Sequence, residues 1–460
     1  MLRSVGLLLL YLTFLGLGTA SPFIFSLGYI WVDTFRPQEV TYLILDQLPV
    51  AMIMGAAAIG GYFLLDRRDP PGLTLVGVIP AFMAGWCTIT MLWAVAPESG
   101  WVKWDWAFKT LVFSAFLPLV IRSRVQIEAV AQVYLFALAG NIIPFGIKTI
   151  FTGGGYGMNL GLIAGNAGLA EGGQLSTFCL MAVPIAVYLA KHNRLVPRTF
   201  LTPIGYLSIA ILAVITAVGT FERSALIGLA VLAIYMFLRS RRKVLFGIAL
   251  TIGAAALIYA SSAIFIQRME TIQSYQADSS AMLRLAVWRW TLEFSFVHPL
   301  GGGFNSYLVN VIDIPPTADF PSGITQQGRA FHSSYFEVLG EQGWPGFIMF
   351  VLAAASTIFH LRRLSKRTRN VPHLAWCADL SDALQSGVVV FFTSGAFVGI
   401  AFQPIIWYFF AISVSLREYV RRVSALEKPT REVGWRGALQ PATPVPSAEV
   451  LPIAGGWRER

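Results

Sequence analysis

Charge is what this chain has least of. Asp, Glu, Lys and Arg make up 13% of its 460 residues, about half the ~25% of an ordinary soluble domain. With 56% apolar residues and a mean hydropathy of +0.64, a water-soluble globular protein is excluded. Cysteine is scarce as well. Cys87 and Cys179 lie inside apolar runs and Cys377 in a basic connector, so no disulfide and no cysteine zinc site frames the longest polar stretch. The GxxxxGK[ST] pattern is missing, even from the glycine-rich 152–173 region with its Gly153-Gly154-Gly155 and Gly172-Gly173, which reads as a flexible connector and no phosphate-cradling loop. No internal repeat or inverted symmetry of the kind many transporters show can be found.

What fills the chain is apolar helix. Runs near 4–20, 42–65, 72–94, 107–121, 129–150, 174–190, 201–220, 224–238, 244–262, 345–360, 384–402 and 404–418 predict about twelve transmembrane spans, each needing roughly 20 residues. Arg3 and the run up to Ala20 read as an uncleaved first helix, although Gly18-Thr19-Ala20 has the form of a signal-peptide cleavage site. Residues 22–36, interrupted by Pro22 and Gly28 and closed by Asp33 to Pro37, read as re-entrant or interfacial. The expected organisation is an amino-terminal bundle (1–260), an external loop (261–344), carboxy-terminal spans (345–418) and a disordered tail (419–460).

The net charge of +10 would suggest nucleic acid in a soluble protein. Here the basic residues sit in short connectors between apolar runs, where topology and anionic membrane lipids account for them, so no nucleic-acid partner is expected. Most of the 34 Lys and Arg fall on one side of the predicted topology, among them Arg122, Arg124, Lys191, Arg239 and Arg362 to Arg369. Positive residues stay cytoplasmic, which puts both termini in the cytoplasm and the 261–344 loop outside. Trp101, Trp104 and Trp106 in an outer connector fit an interfacial aromatic belt.

The external loop holds the reactive residues. Asp278-Ser279-Ser280 offers caps for a helix over about 281–297, on which Arg284, Trp288 and Thr291 share a face. Arg284 suits an anionic ligand or is a solvated charge; Arg289 and Glu293 at i, i+4 can pair with each other. His298-Pro299 ends the helix, His298 reading as a cap or core residue. Gly301-Gly302-Gly303 then allows a tight reversal with backbone close to a ligand. Ser334-x-x-Glu337 matches a capping box for a helix ending near Gly343, with Glu341 holding the turn before the next span. His332, just before that helix, would be kept neutral by its positive end and so able to accept a proton; alone, it equally reads as a structural residue. Arg223, at the outer junction of two spans, either meets an anion, snorkels to headgroups or pairs with Glu222. The set suits transfer from a lipid-linked diphosphate: guanidinium groups neutralise the leaving group while a base deprotonates an acceptor hydroxyl. A transporter or flippase of lipid-linked glycans and a non-catalytic part of a polysaccharide export complex are the rival classes.

Arg284-x-x-x-Trp288, His298-Pro299-Leu300-Gly301-x-Gly303 and His332-x-x-Tyr335 followed by Glu341-x-Gly343-x-x-Gly346 resemble the signature of the O-antigen ligase and polysaccharide polymerase superfamily. Arg223-Ser224 is similar to that family's arginine at the end of a preceding span. Pro22-Phe23 through Trp31 to Arg36-Pro37 resembles the branch of exosortase-associated O-glycosylation ligases. The resemblance implies an all-α integral membrane enzyme with a glycosyltransferase-C-like architecture and a large helical periplasmic loop, in the bacterial inner membrane. It would take glycan from undecaprenyl diphosphate to a glycan, lipid or protein acceptor, without metal, nucleotide sugar or other cofactor. By the same resemblance His332 is the base and Arg223 and Arg284 bind the donor diphosphate; Trp288, Arg289 and Tyr335 are further candidates for substrate binding. Many members have His-Asn where this chain has His332-Ser333.

Overall fold

The computed structural model describes residues 2–41, 44–65, 70–154, 171–240, 279–314 and 322–426, together with 243, 244, 247 and 251. Helices dominate, in the order α1 (Leu2–Ala20), α2 (Phe23–Phe35), α3 (Pro37–Val40), α4 (Ile44–Gln47), α5 (Val50–Leu65), α6 (Leu75–Thr90), α7 (Pro97–Val120), α8 (Arg124–Thr152), α9 (Gly172–His192), α10 (Leu201–Gly219) and α11 (Arg223–Arg239). After the undescribed stretch come α12 (Ser279–Val297), strands β1 (Val311–Ile314) and β2 (Ile324–Gln327), α13 (Ser334–Thr368), α14 (Ala375–Ser394) and α15 (Pro404–Leu426).

Local chemistry sets several of these limits. Ser123 and Gln126 form a reciprocal capping box at the start of α8, and Gly153 ends that helix with φ of 78°, a left-handed cap that glycine adopts without steric cost. Thr74 caps α6 by accepting the Gly77 backbone N–H. Every residue of α9 from Gly172 to Ala186 is buried, as expected of a helix apolar all round, and α8, α10, α11 and α14 pack about it. Trp407, Tyr408, Phe409 and Phe410 of α15 are each at most 1% exposed and fill the bundle with aromatic volume.

Among the described residues, six helices are long and apolar enough to cross a membrane: α1, α6 with the turn that follows it, α8, α9, α10 and α13. The predicted number of about twelve is not confirmed by these residues. The run at 42–65 breaks at Leu48-Pro49 into α4 and α5, and most of 244–262 lies outside the described residues. The run at 384–402 is helical only to Ser394; residues 395–403, with Gly395 and Gly399, form a loop before Pro404 starts α15. Phe23 to Phe35 form one helix with nine buried residues, packed on α1, α5 and α8. At ~1.5 Å per residue it is about 20 Å long, short of a ~30 Å hydrocarbon core.

The expected all-helical loop contains an antiparallel hairpin, Val311 opposite Gln327 through Ile314 opposite Ile324, tied by a 2.6 Å bond from Thr325 Oγ1 to Asp313 Oδ1. The β-branched run Val-Ile-Asp-Ile favours strand over helix. A second correction concerns the glycines at 301–303. Their backbone packs on another backbone: Gly302 N–H donates to Gly340 O at 3.0 Å, Gly303 N–H to Glu341 O at 2.9 Å and Trp344 N–H to Pro299 O at 3.0 Å. A Cβ on Gly301 would stand 2.5 Å from Glu341 O, and one on Gly343 2.3 Å from Pro299 O, both at positive φ. Gly301→Ala and Gly343→Ala should each cost ~3 kcal/mol or more through clash and backbone strain, whereas Gly16→Ala, with nothing within 4 Å, should be silent. Thermal unfolding in detergent, followed by tryptophan fluorescence, checks both halves of this contrast.

Candidate functional site

Helices α9, α11 and α13 all begin at one end of the bundle and α14 ends there. Ser334 N–H donates to Gly395 O at 2.7 Å, and Ser224 Oγ lies 3.6 Å from where a Cβ would stand on Gly173. At the opposite end, Asp382 of α14 pairs with Arg239 of α11 and Arg369 after α13, while Asp379 takes Lys191 and His192 of α9.

His332 is fixed from both sides at the first end. Phe331 before it is buried with Val287 and Ile312, and its carbonyl accepts the Trp288 indole N–H at 2.9 Å. Trp288 itself stacks on Phe336, ring centroids 5.1 Å apart. His332 has φ of 46°, a left-handed conformation costing a non-glycine residue ~1–3 kcal/mol unless its surroundings impose it. The imidazole is half-exposed, with Nδ1 3.9 Å from Glu171 Oε1. Burial lowers its pKa below the ordinary value, and the positive fields of Arg284 and Arg329 lower it further; its neutral form is therefore the stable one at physiological pH. Burial raises the pKa of the Glu171 carboxyl, against a hydrogen bond from Gln174 and the field of Arg284.

A cavity of about 330 Å³ opens beside this histidine, lined among others by Glu171, Gln174, Trp106, Tyr307 and Gln403. Its floor is an ion cluster. Lys103 Nζ of α7 lies 2.6 Å from Glu337 Oε1 and 2.8 Å from Glu341 Oε1 of α13, with the rings of Phe304 and Phe402 at 5.6 and 5.5 Å. Glu337 Oε2 accepts the Ala401 N–H at 3.0 Å and Glu341 Oε1 accepts that of Asn305 at 3.0 Å. The capping box expected at Ser334-x-x-Glu337 therefore does not form, although the helix starts where it predicts. Ser333 is the N-cap, without a side-chain bond, and Ser334 Oγ is bonded to Val398 O and Ile400 N–H in the 395–403 loop.

The residues expected to bind substrate separate into two groups. Arg284 acts electrostatically on both His332 and Glu171. Arg223 opens α11 directly after Glu222, itself an electrostatic neighbour of Glu171. The other three are engaged elsewhere. Arg289 pairs with Glu293 at 2.9 Å on an exposed face, Trp288 holds the Phe331 carbonyl, and the Tyr335 hydroxyl donates to Phe392 O at 2.9 Å. His298 is exposed and stacks on Phe294; it is neither buried nor in the cavity. Lys103, Glu171 and Gln174 were not singled out from sequence, since each lies more than 150 residues from His332.

Residues 208–351 match the O-antigen ligase family model. This domain supports the O-antigen ligase and polysaccharide polymerase superfamily. Residues 2–194 match a family of unknown function (DUF5935), and no curated protein matches the chain. The family's business is glycan transfer of the ligase or polymerase kind, and with the apolar helices it makes this a bacterial membrane protein. The O-antigen ligase domain contains Arg223, Arg284 and His332, but Lys103, Glu171 and Gln174 lie in the segment of unknown function and Gln403 beyond both. No cluster of three or more His, Cys, Asp or Glu suited to a metal occurs among the described residues. Lys103→Met would leave two buried carboxylates without their cation, a loss of roughly 3–5 kcal/mol. A large fall in the unfolding midpoint, partly restored by adding Glu341→Gln, is the expected outcome in a thermal-shift measurement.

Proposed function

We propose that this protein transfers a glycan from undecaprenyl diphosphate to an acceptor hydroxyl on the periplasmic side of the bacterial inner membrane. One observation carries the reading: a neutral histidine at the rim of a polar cavity, flanked by arginines, in a chain that is otherwise apolar helix. The acceptor oxygen attacks the anomeric carbon, the bond to the diphosphate oxygen breaks with its electron pair, and the proton passes to His332. With Nδ1 facing Glu171, Nε2 is the nitrogen that takes that proton, and the Glu171 carboxylate stabilises the imidazolium formed. Arg223 and Arg284 meet the departing diphosphate, for which the planar guanidinium fork is suited. The carrier's hydrocarbon lies among the apolar helices. In-line attack of this kind inverts the anomeric centre.

Sidedness is supported by the charges at the two ends. Lys191, Arg239, Arg362, Arg363, Lys366, Arg367 and Arg369 belong to the end away from His332, and positive residues are retained in the cytoplasm. On this reading the histidine faces the periplasm and both chain termini are cytoplasmic. Ligase and polymerase share this donor chemistry and differ in the acceptor. Loss of a polymerase leaves single repeat units in a deletion strain, and loss of a ligase leaves long chains unattached.

In proteoliposomes supplied with a defined donor and acceptor, His332→Ala should abolish transfer while insertion and unfolding temperature stay normal; wild-type turnover in that variant removes the assignment. The pH profile adds a second test. The base works when unprotonated and its pKa is lowered from 6.5, so the rate should be level through neutrality and fall only below about pH 6.5. Arg284→Gln removes a positive field, raises the histidine pKa and moves that acid limb to higher pH. Arg284→Lys keeps the charge and so the limb, but loses the fork and weakens donor use; an unmoved limb in Arg284→Gln would contradict the arrangement.

A further inference from the structure

Resting on the transfer reading, we propose that the cavity beside His332 is the acceptor subsite and takes an uncharged, hydroxyl-rich glycan end, turning away acceptors that carry a carboxylate or phosphate there. Three carboxyl groups line it, those of Glu171, Glu337 and Glu341. The one cation among the lining residues, Lys103, already donates to both Glu337 and Glu341. An anionic group entering this space meets like charge and finds no free ammonium to pair with, an arrangement that selects by repulsion as much as by attraction.

The unpaired atoms point the same way. Gln174, 8% exposed, gives its amide N–H to Glu171 Oε2 at 3.0 Å and leaves its carbonyl oxygen without a partner. Glu341, fully buried, likewise has Oε2 unpartnered. Both atoms belong to residues that line the cavity but are themselves buried just behind its wall, so a small side-chain rotation brings each unmatched acceptor to an incoming donor. Sugar hydroxyls are donors; a carboxylate or phosphate dianion has no proton to offer. Trp106 and Tyr307 add flat ring surfaces against which the C–H face of a pyranose packs. The volume of about 330 Å³ sits at the low end of the ~300–1,000 Å³ found for small-ligand sites, which fits the end of a glycan rather than a long segment of it. Diphosphate, by the same charge argument, belongs on the side of Arg284 and Arg223.

Wild-type protein in nanodiscs, given a defined undecaprenyl diphosphate glycan, is offered two matched oligosaccharide acceptors differing only in a terminal glucose or glucuronate. The neutral acceptor should be used at least ~10-fold better in kcat/KM, the scale of one unfavourable buried charge contact, and Glu171→Gln should narrow that ratio. Equal use of both, or preference for the uronate, overturns the inference while leaving the transfer reading intact. Saturation-transfer NMR with each saccharide alone reads the subsite without turnover. Signal from the neutral oligosaccharide, reduced by Gln174→Leu and not seen from the uronate, supports the inference even if no transfer is detected. Equal signal from both overturns it.

Discussion

One buried ammonium holds the site together. Lys103 Nζ joins α7 to two carboxylates one turn apart on α13, and each carboxylate reaches on to a backbone N–H of a separate loop, Ala401 in one direction and Asn305 in the other. Four segments distant in sequence are thereby clamped around the start of the helix that follows His332. Breaking such a cluster is costly because the remaining charges stay buried without a partner. It also fixes the register of Glu337 and Glu341 along the cavity wall, so the stability of this end and its chemistry rest on the same three side chains.

Around that cluster the fold has two polar ends of opposite character. One gathers the imidazole, the carboxyls and the amides about a cavity, with Arg284 close by. The other is built from basic residues tied to Asp379 and Asp382. Between them the bundle is aromatic and aliphatic, with α9 buried along most of its length. Burial and the nearby charges of Arg284 and Arg329 set the behaviour of His332.

Much of this end could be read from the residues in order. His332 and Arg284 stood out because polar groups are few and gather in one segment, and the helix starting at Ser334 and breaking at Gly343 was visible from its own residues. What escaped was tertiary. Ser334-x-x-Glu337 satisfies the local rule for a capping box, yet both side chains are claimed by the 395–403 loop, and no local pattern distinguishes the two uses. The glycines at 301–303 announced close approach without naming the partner, which is the backbone at 340–344. Lys103, Glu171 and Gln174 carry no motif; only packing brings them to His332. The strand pair Val311–Ile314 and Ile324–Gln327 had a signal, a β-branched run between turn residues, that was outweighed by the helical character of the chain.

The central claim is that a donor diphosphate is held by Arg223 and Arg284 with its sugar facing His332. An electron cryo-microscopy structure of the wild-type protein in nanodiscs, with a non-hydrolysable undecaprenyl diphosphate glycan analogue bound, tests this most directly. The account predicts diphosphate density within hydrogen-bonding distance of both guanidinium groups and the anomeric carbon at the mouth of the cavity beside His332. Diphosphate density at the basic end near Arg239 and Arg369, or more than one side chain's reach from Arg284, would contradict it.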